Sequence, residues 1–249
     1  MKTIKRYILK ILIYFRLFPC IFFKFNPFKI YEFKELLKDV KFSKNELILD
    51  IGCGSGLQSF LLGMRCKKII GIDISEKAIT TAKLVSQYLS ERINSEFRCV
   101  RIEKAEFEKE YFNKIFSICV LEHISNYDKV LRESYRILKK DSQLIFSVDN
   151  LGTIKDKKLL LKHKEDHSVQ KYFKVEEIKT NLEEIGFNRI EVYPIFKSDF
   201  AKNFFIKSIH NRFQYGYLNS ILAYFLIKYK EKYCVDRENG LFLIVKCNK

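Results

Sequence analysis

LILDIGCGSGL, residues 47–57, is the stretch that decides the fold of this 249-residue chain. Its first half is an apolar run short enough for a buried strand, and its second half alternates three glycines with other residues. A loop that leaves a strand and enters a helix presents free backbone N–H groups. Glycine removes the side chains that would keep a ligand away from that backbone. The stretch therefore predicts a ligand-binding loop.

The spacing of the glycines argues against the two best-known phosphate-binding loops. A dinucleotide fingerprint, G-x-G-x-x-G, would have its third glycine at Leu57, whereas this loop has it one place earlier, at Gly56. A P-loop needs Gly-Lys followed by Ser or Thr, but Leu-Gln follows Gly56 here. The loop therefore favours a ligand other than a pyrophosphate.

Two carboxylates accompany the loop. Asp73 ends the next predicted strand, where it can accept hydrogen bonds from both hydroxyls of a ribose. Asp50 lies just before the loop, where it can attract the cationic head of an amino acid. An adenosine joined to an amino acid without a phosphate describes S-adenosylmethionine. For Asp73 alone, a carboxylate that caps a helix is the alternative.

Strands alternate with helices from residue 46 onward. The predicted strands are 47–51, 68–74, 97–102, 114–120 and 143–148, and the predicted helices are 56–65, 75–91 and 127–139. This alternation predicts a mostly parallel sheet covered on both faces. After a helix at 174–185, strands at 189–195 and 241–247 predict an antiparallel pair. The aromatic and basic insertion between them, at about 197–238, is expected to be a lid, a membrane patch or an extra helical layer.

The segments ELILDIGCGSG (46–56), GIDIS (71–75) and FNKIFSICVLEHI (112–124) resemble successive motifs of the class I S-adenosylmethionine-dependent methyltransferases. The resemblance is to the small-molecule group that includes quinone-biosynthesis enzymes. It implies an α/β fold, a Rossmann-like three-layer sandwich whose seven-stranded, mostly parallel sheet has an antiparallel last strand. It also implies S-adenosyl-L-methionine as cofactor and methyl transfer to a small molecule. The basic, aromatic ends of the chain favour a small or lipid-linked acceptor, methylated at an oxygen atom.

Carried over by position, the resemblance assigns a set of residues to the cofactor: Asp50, Gly52, Cys53, Gly54, Gly56, Asp73, Ile74, Glu103, Lys104 and Ser117. In this assignment Ile74 packs on the adenine, and Glu103 with Lys104 flanks its amino edge. Ser117 meets the methionyl end of the cofactor where the fourth strand stops.

Three residues are candidates for contact with the acceptor. His123 of LEHI is the candidate general base for an oxygen nucleophile, and a structural histidine bonded to a backbone carbonyl is the alternative. His167, in HKEDH, and Tyr31, in NPFKIYEF, are expected to reach the acceptor. His163 and His167 share a helix face, but the pattern is not HExxH and lacks a third ligand, so no metal site is predicted.

The charge of the chain favours an anionic partner. The formal net charge is +16, which predicts attraction to a membrane, a nucleic acid or an acidic metabolite, or else describes only a lysine-rich surface. Residues 1–30 carry seven basic residues and no acid. They predict an amphipathic helix that lies on an anionic membrane, or one that folds over the cleft. Residues 31–249 are then the methyltransferase domain.

The other partners and the location follow from what the motifs lack. Seven cysteines without a CxxC pair predict a reducing cytoplasm. The basic segment 1–30, if it binds the membrane, predicts a peripheral position on the inner face. After the fourth strand the chain reads SICVLEH rather than the N/D-P-P-Y tetrapeptide of enzymes that methylate amino groups of nucleic acids, so a nucleic-acid acceptor is not expected. An RNA-directed methyltransferase and a non-catalytic relative that binds the cofactor are the alternative functions.

Overall fold

A computed structural model describes residues 11–12, 26–210, 217–236 and 238–249. Its described residues form a seven-stranded sheet of order β3-β2-β1-β4-β5-β7-β6. The strands are β1 (Leu47–Ile51), β2 (Lys68–Asp73), β3 (Ser95–Cys99), β4 (Phe112–Ile118), β5 (Leu138–Asp149), β6 (Asn188–Ile195) and β7 (Phe242–Asn248). Strand β7 is antiparallel to both of its neighbours, and the pairings from β3 to β5 are parallel. The predicted fold class is confirmed.

Helices cover both faces of this sheet. In the described part of the chain they are α1 (Pro27–Leu37), α2 (Leu57–Gly63), α3 (Glu76–Leu89), α4 (Tyr127–Ile137), α5 (Lys157–His167), α6 (Val175–Ile185), α7 (Asp199–His210) and α8 (Tyr217–Lys232). Alternate residues of a strand point to opposite faces, so Ile48 enters one apolar core and Leu49 the other. Ser75 caps α3 as predicted, because its hydroxyl accepts the N–H of Ala78.

Three strands, β3, β4 and β5, differ from the predicted bounds by two residues or more. Strand β3 ends at Cys99; after a last hydrogen bond from the N–H of Val100 to the carbonyl of Asp73, the chain turns into a 3-10 helix at Ile102–Lys104. Strand β4 is two residues earlier than predicted, and β5 begins directly after α4. Because β3 ends at Cys99, residues 100–104 lie outside the sheet and line the cleft.

The start of the described domain is helix α1. Asn26 caps it by accepting the N–H of Phe28 at 3.0 Å, and Pro27 occupies its first turn. The helix crosses the predicted boundary between residues 30 and 31. Residues 1–10 and 13–25 of the predicted amphipathic segment lie outside the described residues. Among the residues described, no helix has both the length and the apolar character to cross a bilayer.

The insertion at 197–238 forms an extra helical layer in its described part. Its helices α7 and α8 pack with α1, and the ring of Phe28 lies 5.2 Å from that of Phe205. Buried Glu231 joins the end of α8 to the start of α7 by accepting the N–H groups of Lys197 and Ser198. This layer lies beside the carboxyl end of β5 and the amino end of β7, where Phe205 packs on Phe242.

Candidate functional site

A cleft of about 750 Å³ opens at the carboxyl ends of β1, β2 and β4. Small-molecule sites occupy roughly 300–1,000 Å³ and are favoured at this edge of an α/β sheet. Most of its wall comes from four segments: 51–52, 72–74, 100–104 and 119–126. The structure therefore brings the glycine loop, the end of β2 and the LEHI segment to one cavity.

Asp73 lies in the wall of this cleft and holds its backbone. One carboxylate oxygen accepts the N–H of Gly54 at 2.8 Å, and the other accepts the N–H of Ser75 at 2.8 Å. Each carboxylate oxygen has a further lone pair, so both can still accept a hydroxyl from a ligand. The arrangement supports the predicted ribose contact and also explains the shape of the loop.

Gly52 is the loop glycine that touches the cleft. Its φ is +71°, a left-handed conformation that disfavours side chains. A Cβ atom at this position would lie 2.8 Å from Cγ1 of Val120 and closer still to Cγ2. The close approach of β1 to the LEHI segment therefore requires glycine here.

One wall of the cleft has the character of an adenine site. The side chain of Ile74 is 69% exposed and lines the cleft, so it offers an apolar surface to a flat ring. Glu103 and Lys104, predicted to flank the amino edge of the adenine, also line the cleft. Arg101 also lines it, and the sequence prediction missed this residue because it placed Arg101 in a strand.

Several predicted cofactor residues lie behind the cleft instead of in its wall: Asp50, Cys53, Gly54, Gly56 and Ser117. Asp50 is buried and accepts the hydroxyl of Ser59 at 2.5 Å, and burial raises its pKa to about 7. Ser117 does not mark the end of β4 as predicted, because the strand continues to Ile118. Its buried hydroxyl makes no hydrogen bond to any described residue.

His123 lines the cleft, and α5 brings His167 to its side. Nδ1 of His123 lies 3.4 Å from the carbonyl of Ser168, the residue that follows His167. Partial burial in the cleft wall lowers the pKa of His123, which favours the neutral imidazole. His163 and His167 share a helix face as expected, with ring centroids 4.7 Å apart. Burial lowers the pKa of His163 to about 4, and His167 adds to this effect.

The expectation that Tyr31 reaches the cleft is wrong for this structure. Tyr31 lies in a second cavity of about 380 Å³ between α1, β6 and α8. Its ring packs on Phe196, 5.4 Å away. Consecutive residues of a helix point about 100° apart. The next residue, Glu32, therefore points toward the sheet while Tyr31 faces α8.

Glu32 leads to a buried polar cluster that the sequence prediction missed. One of its carboxylate oxygens accepts the Ser147 hydroxyl at 2.5 Å and the Cys119 thiol at 2.8 Å. The other oxygen lies 3.0 Å from the ammonium of Lys29. Cys119 also lines the cleft and has φ +51°, which is strained for a residue other than glycine. The cluster therefore adjoins the cleft through Cys119.

Two further acids complete this cluster, Glu122 and Asp149. Their carboxylate oxygens and the sulfur of Cys119 all lie within 4.8 Å of one another. Burial raises the pKa of Asp149 to about 7. Burial also raises the pKa of Glu122 well above its ordinary range, and the nearby charge of Asp149 is the second cause of that rise. Cys119 and Asp149 end neighbouring parallel strands, so the rule that such ends meet at one sheet edge would have placed them together.

Comparison with known families gives one match that extends over most of the domain. The family profile described as "Methyltransferase domain" matches residues 42–198. The matched region begins before β1 and ends after β6, so it contains the glycine loop, Asp73 and the LEHI segment. These are the elements that build the cleft.

Individual methyltransferases are also similar to parts of this chain. A ubiquinone biosynthesis O-methyltransferase of Pelagibacter ubique is 31% identical over 133 residues, which are 51% of this chain and 54% of that protein. One of Pseudomonas putida is 34% identical over 104 residues, 41% of this chain and 44% of that protein. The chain thus spans about half the length of these relatives, or less. A solved phosphoethanolamine N-methyltransferase 2 of Haemonchus contortus, in complex with S-adenosyl-L-methionine, matches 88% of this chain and 52% of its own, with 18% identity and a TM-score of 0.64.

Proposed function

The chain belongs to the methyltransferase domain family, and from that premise we propose that it moves a methyl group from S-adenosyl-L-methionine to a hydroxyl oxygen of a small or lipid-linked acceptor. The prediction of a class I methyltransferase is confirmed at the level of the family, and with it the cofactor. The single observation that carries the proposal is that Asp73 and His123 line the same cleft.

The residues of the cleft fit a nucleoside that carries an amino acid and no phosphate. Asp73 presents a carboxylate for the ribose hydroxyls, and Ile74 presents an apolar surface for the adenine. Asp50 and Ser117 lie behind the loop, so a direct contact with the methionyl group requires the loop to adjust when the cofactor binds. We propose that Gly52, Glu103 and Lys104 contact the cofactor and that Cys53, Gly54 and Gly56 shape the loop.

His123 is proposed as the residue that removes the proton from the acceptor. The cofactor supplies an activated methyl group on a positively charged sulfur. The chain must hold an oxygen nucleophile in line with that methyl group and take up its proton. Because the pKa of His123 is lowered, its imidazole is neutral near pH 7 and can accept that proton. His167, beside it, is proposed to contact the acceptor.

The roof over this end of the cleft is proposed to exclude water during transfer. Helix α1 covers the polar cluster, where Glu32 has no solvent exposure. The segment after α5 closes the other side, because Gln170 and Lys171 donate their N–H groups to the carbonyl of Glu122. A closed roof favours transfer to the bound acceptor over transfer to water.

The acceptor class is proposed from two observations. The curated relatives are named for ubiquinone biosynthesis, so a phenolic quinone precursor is the first acceptor to test. The insertion at about 197–238 is rich in aromatic and basic residues, which suits an acceptor with a lipid tail. We further propose that residues 1–30 hold the protein at an anionic membrane surface, on the cytoplasmic side.

The decisive experiment is incubation of the full chain with methyl-labelled cofactor and separate acceptor pools. The pools are phenolic quinone precursors, total lipid, lipid-linked glycan, small metabolites and RNA. Label in a phenolic or lipid fraction as a base-stable methyl ether supports the proposal, and label in RNA would replace it with the RNA-directed alternative. Cofactor binding without label in any pool would indicate a non-catalytic relative. His123→Gln should slow labelling by about 10²–10⁴-fold, whereas His210→Gln, at an exposed histidine of α7, serves as the matched control.

A further inference from the structure

Helix α8 exposes an apolar face that the fold does not explain. Of the nine large apolar side chains exposed in the described residues, six lie between residues 222 and 235: Leu222, Phe225, Leu226, Tyr229, Tyr233 and Val235. Four of them, Leu222, Phe225, Tyr229 and Tyr233, are 58–62% exposed. Scattered exposed residues are ordinary on a soluble protein, but a contiguous apolar patch marks an interaction surface.

The spacing of these residues places them on one side of the helix. At about 100° per residue, Leu222, Phe225, Leu226 and Tyr229 fall within an arc of roughly 100°, and Tyr233 follows directly after the helix ends at Lys232. The residues that face the domain are on the opposite side, and they are buried: Ser220, Ala223, Ile227 and Glu231. Helix α8 is therefore apolar on its outer face as well as on part of its inner face. Its inner contacts hold it against α1 and α7.

Lysines border the outer face on both sides. In the same projection Lys228 and Lys232 lie along one edge of the apolar arc and Lys230 lies along the other. All three are exposed, and among the described residues no carboxylate lies within ion-pair distance of their ammonium groups. Lys228 and Lys232 also line the second cavity, where Lys34, Lys38 and Lys197 join them.

We propose that the outer face of α8 docks on an anionic lipid bilayer. An apolar arc with lysine edges is the pattern of a helix that lies in the membrane interface, with its apolar side chains among the acyl chains. Long lysine side chains then reach outward to the headgroups. The five lysines of the second cavity and its rim add attraction to anionic headgroups, in keeping with the net charge of +16.

The proposed surface consists of residues of α8 and of the turn after it, and the proposal does not depend on methyl transfer. Docking through α8 also has a consequence for the acceptor. Helix α8 packs on α1, and α1 carries Glu32 into the cluster beside the cleft. A bilayer held against α8 is therefore one helix layer away from the acceptor end of the site.

The chain contains no tryptophan, which allows a local test in the full-length protein. The F225W variant places a single fluorophore in the apolar arc, and L161W places one at an exposed apolar position of α5 as the matched control. With vesicles of phosphatidylcholine and phosphatidylglycerol, the emission of F225W should shift to the blue and be quenched by lipids brominated on their acyl chains. Emission from L161W should stay unchanged. Y229W provides a second reporter if F225W does not fold.

The lysines are tested by flotation with the same vesicles. Lys228→Gln, Lys230→Gln and Lys232→Gln together should lower the partition coefficient by about fivefold for each lysine at low salt. Flotation without a change in the emission of F225W and Y229W would assign binding to another segment and overturn the proposal. A blue shift that depends on protein concentration in the absence of vesicles would show self-association through this face, which also overturns it. Neither outcome bears on whether the enzyme transfers methyl groups.

Discussion

The carboxylate of Asp73 accepts the backbone N–H of Gly54 at 2.8 Å, which ties the end of β2 to the glycine loop that follows β1. The second oxygen of the same carboxylate accepts the N–H of Ser75 at the start of α3. One side chain thus fixes two backbone segments and still faces the cleft. A substitution of Asp73 should therefore affect both the loop and the ligand.

Asp73→Ala should weaken the binding of S-adenosyl-L-methionine by about 1–3 kcal/mol, the range for lost hydrogen bonds to a charged group. Isothermal titration calorimetry measures this directly. Glu184→Ala removes an exposed carboxylate from α6, outside the cleft, and should leave the affinity unchanged. An Asp73→Ala variant with the affinity of the natural protein would show that the ribose is held elsewhere.

Gly52→Ala should be more damaging than Gly54→Ala, although both glycines have positive φ. A Cβ at position 52 meets Val120, whereas a Cβ at position 54 has no atom within 4 Å. Backbone strain accounts for about 1–3 kcal/mol in each variant, and the overlap with Val120 adds to it only at position 52. Urea unfolding gives both free energies.

The steric explanation predicts a partial rescue of Gly52→Ala. Val120→Ala removes the two methyl groups that the new Cβ would meet, so the double variant should regain part of the lost stability. If the losses in the free energy of unfolding of the two single variants simply add in the double variant, backbone strain at residue 52 is the whole cause of the destabilisation.

The fold was predictable wherever the pattern was local. Buried runs such as 47–51 and 114–118 have the length and composition of central strands, and Ser75 marks a helix start. Asp73 and Ile74 follow from their position at the end of β2. The boundary of β3 was predicted too late, because apolar Val100 and Ile102 continue the pattern of a strand although they line the cleft and the core beneath it.

The polar cluster could not be predicted from local pattern. Glu32 meets Cys119 and Ser147 across 87 and 115 residues of sequence, and only the order of strands in the sheet brings them together. The orientation of the Tyr31 side chain could not be predicted for the same reason. Which face of α1 is turned to the sheet depends on the helical layer that the insertion forms. Cys119 and Asp149 were accessible to reasoning from strand ends, once those ends were placed correctly.

His123→Gln should lower kcat by about 10²–10⁴-fold, the usual contribution of a general base, with cofactor affinity preserved. Because the pKa of His123 is lowered, the acidic limb of the kcat/KM profile should lie below the ordinary histidine value of about 6.5. The neutral base is the form present above that pKa, so activity falls as the pH drops through it. Steady-state rates from pH 5 to 9 measure the limb.

The pH profile also distinguishes His123 from Asp149, the other candidate for the group that titrates in the acidic limb. The pKa of Asp149 is raised to about 7, so a limb near pH 7 that disappears in Asp149→Asn would identify the acid cluster as the proton acceptor. Retention of full activity in His123→Gln would exclude His123 as the proton acceptor. A limb below 6.5 that survives Asp149→Asn assigns the proton to His123.

Asp149→Asn should make the protein less sensitive to pH between about 4 and 8. Burial raises the pKa of Asp149 from 3.8 to about 7, so the native state holds a proton that the unfolded chain releases. Between these two pKa values the native state binds more protons than the unfolded chain. The free energy of unfolding therefore falls as the pH rises through the folded pKa. Asparagine has nearly the same shape as aspartate, but its side chain does not ionise. The variant should match the natural protein near pH 4 and exceed its free energy of unfolding at pH 8 by about 1–4 kcal/mol. Urea unfolding at four pH values, with Glu184→Gln as the exposed control, measures the difference; equal pH dependence in the variant and the natural protein would mean that Asp149 ionises as freely in the fold as in the unfolded chain.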